Sequence, residues 1–375
     1  MPLFSKGIIL DQRKEPILGS AILEYPAQAQ YFENPYSDME ALTIEQLAEI
    51  ARLANIIDER EGKPLADKLL FASTRGRPYG IIADAVDDEP YISSQLCLII
   101  HKRELVADGL LLCARALGVK NTCIAVYKNL YDLSVRIPST VGDIKIEKIQ
   151  GKYPAETRLD TIWGKSRRKL IIGIGALVHL ARAVRENRMQ TTCFVTVAGN
   201  CVSKPANVEL PIGTTVADAL DFCNLGLDPT RVAVGGSMTG KSITDPANYK
   251  LLPSSRSVLA FEDKTELHTF NCIGCSRCLG VCPQKLNPAL IYKYMSAGML
   301  DEIKFLDPTR CDECGTCSYT CPCELDLLVA VSRAKTYVLK NTSPDAPEEH
   351  KILNLGKFPE IIKQIFSKFK KSKGE

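Results

Sequence analysis

Eight cysteines fall into two copies of one spacing, Cys272-x2-Cys275-x2-Cys278-x3-Cys282-Pro283 and Cys311-x2-Cys314-x2-Cys317-x3-Cys321-Pro322. Thiolate sulfur is a soft ligand suited to iron–sulfur clusters, and two-residue gaps let three successive sulfurs of one tight loop face three corners of a cube. The fourth corner then needs a sulfur from elsewhere. The chemistry this predicts is one-electron transfer through two [4Fe–4S] clusters. Structural zinc is the competing use of Cys-x2-Cys pairs. Zinc stops at four thiolates and takes two such pairs per ion, however, whereas each run here has three close cysteines and a fourth before proline.

The spacing is that of two-cluster bacterial ferredoxins, in which the fourth cysteine of each run crosses to the other cluster. On that pattern Cys272, Cys275, Cys278 and Cys321 hold one cluster, and Cys311, Cys314, Cys317 and Cys282 hold the other. Cys323, just past the second run, reads as a packed thiol. Cys97, Cys113, Cys123, Cys193, Cys201 and Cys223 have no metal-like spacing and read as core thiols in a reducing compartment.

The chain that must position these runs has 375 residues, enough for two or three domains, and a net charge of +3. That charge is too small to indicate nucleic acid, and aromatics are not interleaved with basic residues as a stacking surface requires. The first ten residues lack the long apolar core and cleavage site of a secretory signal, and no stretch approaches 18 uncharged apolar residues. A cytoplasmic location is expected.

Five regions follow from pattern. Residues 1–45 read as an extended lead-in with scattered prolines. Residues 46–189 alternate helices (Ile44–Asn55, Leu105–Leu117, one including Leu177–Val184) with strands (Ile81–Ala83, Thr122–Tyr127, Lys169–Ile174), which implies an α/β domain with a mainly parallel sheet. Residues 190–248 give two strands, a helix capped by Thr215 and a returning strand Arg231–Val234, a small β-grasp insert. Residues 249–345 form an α-helical bacterial-ferredoxin-type 2[4Fe–4S] domain, with one helix Pro288–Phe305 between the runs and another after Pro322. Residues 346–375 are a basic tail.

Gly235-Gly236-Ser237-Met238-Thr239-Gly240-Lys241-Ser242 satisfies the Walker A pattern after a strand. A phosphate loop needs a following helix whose amides face the phosphates. Here Pro246 arrives within one turn and no apolar period follows, so the segment reads as a glycine-rich turn. His179 and His268 have no carboxylate or nucleophile beside them in sequence and read as structural.

The order of parts resembles the RnfC-like family, which includes the cluster-bearing subunit of the Rnf complex and the cobalamin reductase of propanediol utilisation. The resemblance runs from about residue 46 to 340. It is carried by Glu89-Pro90-Tyr91, the helix Val106–Leu117 with Gly118-Val119-Lys120, Lys152-Tyr153-Pro154, Gly175-Ala176 before Arg182-Ala183-Val184, Gly235–Gly240 and both cysteine runs. It implies a flavin- and NADH-binding α/β domain, a soluble-ligand-binding β-grasp domain and a ferredoxin-like domain. One departure matters. Where the family carries a glycine-rich loop ending in Gly-Ala-Gly-Phe-Pro-Thr, this chain reads Ile56-Ile57-Asp58-Glu59-Arg60-Glu61-Gly62-Lys63-Pro64-Leu65. Bulky side chains and three carboxylates remove the bare backbone that approaches FMN and its phosphate. The segment therefore reads as an exposed loop on a vestigial domain, without FMN or NADH in this chain.

The expected function is an electron-transfer subunit of a cytosolic oxidoreductase complex, akin to the shorter, soluble branch of the family. Its expected partners are flavin-bearing or catalytic redox subunits, with ferredoxin or flavodoxin as candidate carriers. Two rivals are an NADH-oxidising flavoprotein and a cobalamin- or ligand-binding scaffold with structural clusters. Within the tail, Phe358, Ile361, Ile362, Ile365, Phe366 and Phe369 recur at helical spacing, and residues 351–375 hold seven lysines against two glutamates. Such a stripe suits a groove on a partner subunit, with an anionic membrane as the alternative.

Overall fold

A computed structural model describes residues 21–128, 137–150, 153–262 and 270–341. The basic tail, His268, Lys152 and the first twenty residues lie outside the described residues. Among the described residues no helix is long and apolar enough to cross a membrane.

The first sheet has five strands in the order Thr140–Val141, Ile144–Ile149, Asn121–Tyr127, Gly80–Ala85 and Lys169–Gly173. All neighbours are parallel except the short first pair. Strand Gly80–Ala85 is buried on both faces, as the centre of a parallel sheet must be. Ile81, Ala83 and Ala85 enter the large core beneath helices Ile44–Leu53, Arg103–Ala116 and Ile174–Glu186, while Ile82 enters a smaller one with Cys123, Ala155 and Leu159. This is the two-residue alternation of a strand sorting side chains between two layers. Thr43 and Gln46 form a capping box at the start of Ile44–Leu53. The helices Arg103–Ala116 and Ile174–Glu186 touch backbone to backbone at Gly109, where a Cβ would stand 2.2 Å from the Leu177 carbonyl oxygen.

The second sheet has six strands in the order Leu23–Glu24, Ala206–Pro211, Thr192–Ala198, Ser257–Phe261, Arg231–Val234 and Lys241–Ile243. Thr192–Ala198 and Ala206–Pro211 form an antiparallel pair, the helix Val216–Phe222 crosses over, and Ser257–Phe261 lies parallel to Thr192–Ala198 in the middle. The arrangement is a β-grasp sheet, and it corrects two boundaries. Strand Ser257–Phe261, expected with the cluster region 249–345, is central to this sheet, because its five residues are all buried. Leu23–Glu24 of the lead-in adds a parallel edge strand beside Val208 and Glu209.

The α/β and β-grasp parts are joined by a buried pair. Arg182 donates to both Glu209 oxygens at 2.5 and 3.1 Å, and Thr192 adds a third hydrogen bond at 2.8 Å. In the cluster region the expected helix Pro288–Phe305 is broken. It runs Pro288–Ser296, stops at Gly298 with φ +68°, and resumes as the short turns Leu300–Ile303 and Lys304–Leu306. The helix after Pro322 is Leu327–Asn341.

Candidate functional site

The two cysteine runs share one backbone plan. Positive φ occurs at matching positions: Gly274 and Glu313, Ser276 and Gly315, Lys285 and Glu324. Each run then enters a short helix, Arg277–Val281 or Thr316–Tyr319, which carries its third cysteine. Alternating left- and right-handed residues turn successive amides to one side, the concavity that receives anionic sulfur. Two such amides already point at thiols: Leu286 N–H donates to Cys282 Sγ and Glu313 N–H to Cys311 Sγ, both at 3.3 Å.

The fourth cysteine of the first run lies beside the second run. Cys282, Cys311, Cys314 and Cys317 line one cavity floored by Leu286, Leu328 and Val331. Burial pushes the Cys317 thiol up to about 12, and the neighbouring Cys314, Cys311 and Cys282 add to the rise. Cys272, Cys278 and Cys321 pack in one apolar group that also takes in Cys317 and Cys323, and Cys278 is raised by burial and then by Cys321. Cys275 is exposed on the loop that also exposes Phe270 and Ile273, with Leu279 exposed on the helix that follows. Thiols crowded in this way cannot all ionise without cations between them, so the donor set fits an iron–sulfur group. Cys323 is 4% exposed beside Leu325 and Leu327, a packed thiol, and the six scattered cysteines are all buried.

Behind the second run lies a cleft of about 350 Å³ where all three parts meet. Its walls include Glu59, Glu89, Tyr153, Arg256 and Cys314. It opens at the carboxyl ends of strands Gly80–Ala85 and Lys169–Gly173, where the chain, having built the sheet outward through Asn121–Tyr127, returns to the opposite side. Ligands of open α/β sheets bind at this kind of crevice.

Here the charged segment departs from the exposed loop expected of it. Asp58 is fully buried and Glu59 only 9% exposed, because the antiparallel pair Ile57–Asp58 and Lys63–Pro64 folds the segment inward. Glu59 accepts the Gly175 N–H at 2.7 Å and the Ala176 N–H at 2.8 Å, at the start of helix Ile174–Glu186. Asp58 accepts the Gly173 N–H at 3.1 Å and pairs with Lys68 at 2.5 Å. Arg60 reaches the buried Asp84 at 2.8 Å. Burial, then the neighbouring Asp58, pushes Glu59 up to about 7. Asp84 and Asp88 are raised to about 6 by burial and then by Glu156.

The glycine-rich segment Gly235–Ser242 is a hairpin turn. Lys241–Ile243 is a strand paired with Val232–Val234, so the helix of a phosphate loop is absent there. Its amides are taken by Glu89, which accepts from Met238 and Thr239 N–H at 3.0 Å each and from the Tyr153 hydroxyl at 2.8 Å. A Cβ on Gly236 would lie 2.7 Å from the Glu89 carboxyl carbon. His179 is buried, stacked on Phe194 with ring centres 5.3 Å apart, and held neutral, its pKa lowered to about 3 by burial. Sequence reasoning named Glu59 in an exposed loop and Glu89 beside Pro90 and Tyr91, but it missed that both fill backbone amides. The run Asp87, Asp88 and Glu89 just after a buried strand was the available signal.

Comparison with known proteins agrees with this architecture. The SLBB domain family matches residues 194–242 and the 4Fe-4S dicluster domain family residues 264–322. The C subunit of the ion-translocating oxidoreductase complex of Rhodobacter capsulatus is 30% identical over 240 residues, 59% of this chain and 46% of that protein. Its Buchnera aphidicola counterpart of the same name is 24% identical over 354 residues, 89% of this chain and 74% of the relative. The C subunit of the Na(+)-translocating ferredoxin:NAD(+) oxidoreductase complex of Acetobacterium woodii is 24% identical over 242 residues, 59% of this chain and 54% of the relative. The chain thus spans about half the length of several curated relatives it matches. Among solved structures, a chain of the air-oxidised NAD+-reducing [NiFe]-hydrogenase superposes with a TM-score of 0.51 at 14% identity, covering 79% of this chain and 61% of its own. That likeness is one of fold. The order of parts, the two domain matches and these oxidoreductase-complex relatives are together consistent with an RnfC-like family.

Proposed function

We propose that the chain relays single electrons through two [4Fe–4S] clusters between a donor and a catalytic or flavin-bearing subunit of an oxidoreductase complex. Cys311, Cys314, Cys317 and Cys282 would hold an inner cluster, and Cys272, Cys275, Cys278 and Cys321 an outer one. One observation carries the reading: Cys314 lines both the cysteine cavity and the three-part cleft, while Cys275 of the other set stands exposed. The inner set would then reach the cleft through Cys314 and the outer set the surface through Cys275, as a path between two partners requires. When bound, the clusters supply the redox change. The chain contributes amides toward sulfur, burial that sets potential, and the exposed Phe270, Ile273 and Leu279 as a place of contact.

The same reading holds that this chain keeps neither FMN nor NADH. The amides at the start of helix Ile174–Glu186 already bind the Glu59 carboxylate, and Glu89 takes those of the glycine turn, so the residues present do not fit a flavin phosphate at either place. NADH, ferredoxin and flavodoxin enter through companion proteins, in the cytoplasm. Anaerobic purification tests both halves of the proposal. Reducible clusters with no yellow cofactor released on denaturation are expected. Stoichiometric flavin, or rapid reduction of the clusters by NADH without a partner, would instead favour an NADH-oxidising flavoprotein.

A further inference from the structure

Three neighbouring strands of the parallel sheet start together: Gly80 pairs with Asn121 on one side and with Lys169 on the other. The residues that lead into them therefore share the amino end of the sheet, about 20 Å along strand Gly80–Ala85 from the cleft. These leads are Arg75-Gly76-Arg77, Lys120 and Lys165-Ser166-Arg167. Local contacts hold them together. Tyr79 N–H donates to the Arg168 carbonyl at 2.8 Å and Asn121 Nδ2 to the Tyr79 carbonyl at 2.9 Å, and the Arg77 guanidinium lies 3.7 Å from where a Cβ of Gly118 would stand.

Arg75, Arg77, Lys120, Lys165 and Arg167 are all exposed, and none of the five pairs with a carboxylate among the described residues. Asp160, the acid nearest to Lys165 in sequence, meets Lys169 through its backbone carbonyl. The charge of this end is not that of the chain at large. The total is +3 and residues 351–375 give +5, so apart from these five cations the remaining residues are −7. Unpaired cations grouped against that background make a local positive field that draws an acidic partner.

The composition indicates which kind. Three of the five are arginines, whose planar forks match carboxylates two hydrogen bonds at a time. Tyr79 is 39% exposed among them, with Arg167 over its ring at 4.1 Å and Trp163 against it in a T-shaped pair at 5.8 Å. Arg75 lies over the exposed Phe71 ring in the same way, at 4.5 Å. Tyrosine, tryptophan and arginine are enriched at protein interfaces. Trp163 packs on Gly80, where a Cβ would stand 2.2 Å from its ring, so the rings of this end are engaged with arginine or backbone and do not form the apolar face of a lipid anchor or an open stack for bases.

We propose that the amino end of the parallel sheet is a docking surface for the acidic face of a companion protein, moored by Arg77, Lys120, Lys165 and Arg167 around Tyr79. A partner seated there leaves the cleft at the other end of the strands uncovered. The inference does not rest on the relay, because no cluster ligand takes part.

The test uses the full-length, cluster-loaded protein under anaerobic conditions, with poly-L-glutamate as the acidic probe. Because the tail is also basic, every sample carries Lys368→Gln, Lys370→Gln, Lys371→Gln and Lys373→Gln. Calorimetric titration should show binding that weakens as salt rises. Adding Arg77→Gln, Lys120→Gln, Lys165→Gln and Arg167→Gln, all at exposed positions, should lower the affinity at least about tenfold, as loss of four charge pairs implies. Neutralising as many exposed lysines elsewhere, Lys204, Lys250, Lys285 and Lys293, should change it less than about threefold. Equal affinity before and after the patch substitutions, or an equal loss from the control set, would overturn the proposal. Vesicles of equal parts phosphatidylcholine and phosphatidylglycerol, bound through the patch and not displaced by saturating poly-L-glutamate, would assign the surface to a membrane and overturn it. So would a dimer in sedimentation that the patch substitutions dissolve, since the occupant would then be a second copy of the chain. Iron and sulfide content, measured on the same samples, reports on the relay separately.

Discussion

Glu89 and Thr239 bind each other twice: one Glu89 oxygen accepts both the Thr239 amide at 3.0 Å and its hydroxyl at 2.6 Å. The contact ties the end of the α/β sheet to the glycine turn of the β-grasp sheet. That turn in turn meets the second cysteine run, since a Cβ on Gly315 would lie 2.9 Å from the Met238 carbonyl oxygen. Glu89→Ala leaves two amides and the hydroxyls of Thr239 and Tyr153 without this acceptor. A loss of about 2–4 kcal/mol is expected in urea unfolding. Neither protein should bind ATP in calorimetry, and nucleotide binding by the parent would restore the phosphate-loop reading.

Metal analysis of the anaerobic protein should give about eight iron and eight sulfide per chain, one cubane per ligand set. Cys275→Ser should damage one cluster and leave much of the other. Cys282→Ser should disturb the cluster of residues 311–317, as read by electron paramagnetic resonance. Loss of the first run's cluster in Cys282→Ser would refute crossed ligation, and stoichiometric zinc without sulfide would remove the clusters altogether.

Stability should fall as pH rises from about 5.5 to 8. Glu59, raised to about 7, and Asp84 and Asp88, raised to about 6, take up protons more readily folded than unfolded. The stability they contribute is present in full below their ordinary carboxylate range and is lost as pH climbs through 6 to 7. For Glu59 alone this is on the order of 3 kcal/mol. Glu59→Gln should flatten the profile of urea midpoint against pH. A midpoint that climbs toward pH 8 would contradict it.

Arg182→Ala should cost about 3 kcal/mol, the low end for breaking a buried pair, because Glu209 stays buried between the α/β and β-grasp parts with Lys102, at 3.5 Å, as its remaining cation. Burial alone would push Glu209 up, but the Arg182 hydrogen bonds and charge outweigh it and bring the carboxyl to about 2. Cluster content should survive if the cluster region folds independently of this joint. Iron analysis beside thermal unfolding separates the two outcomes.

Removal of the residues after Gly356 should leave both clusters intact and weaken co-purification of a partner subunit, as the apolar stripe of the tail suggests. Unchanged assembly with lost liposome binding would assign the tail to membranes instead.

Elements with a fixed period or a fixed spacing were legible from local pattern. Ile81–Ala83 and Thr192–Val197 stood out as apolar runs within the strands Gly80–Ala85 and Thr192–Ala198, and Thr215 as a cap. The cysteine runs were legible because cluster ligation constrains neighbours along the chain. The absence of a helix after Gly240 followed from Pro246 for a similarly local reason. The place of the charged segment, by contrast, is settled by long-range contacts. Asp58 and Glu59 read as solvent-facing because carboxylates are rarely buried, and the amides of Gly173, Gly175 and Ala176, more than a hundred residues away, together with Lys68 beside Asp58, make burial tolerable. Long-range contacts also bring Ser257–Phe261 into the β-grasp sheet, since strand pairing is a choice with no mark in the strand itself. Glu89 in the glycine turn is the same case: a glycine-rich loop displays amides in its sequence, but which anion fills them depends on what the rest of the fold brings within 3 Å.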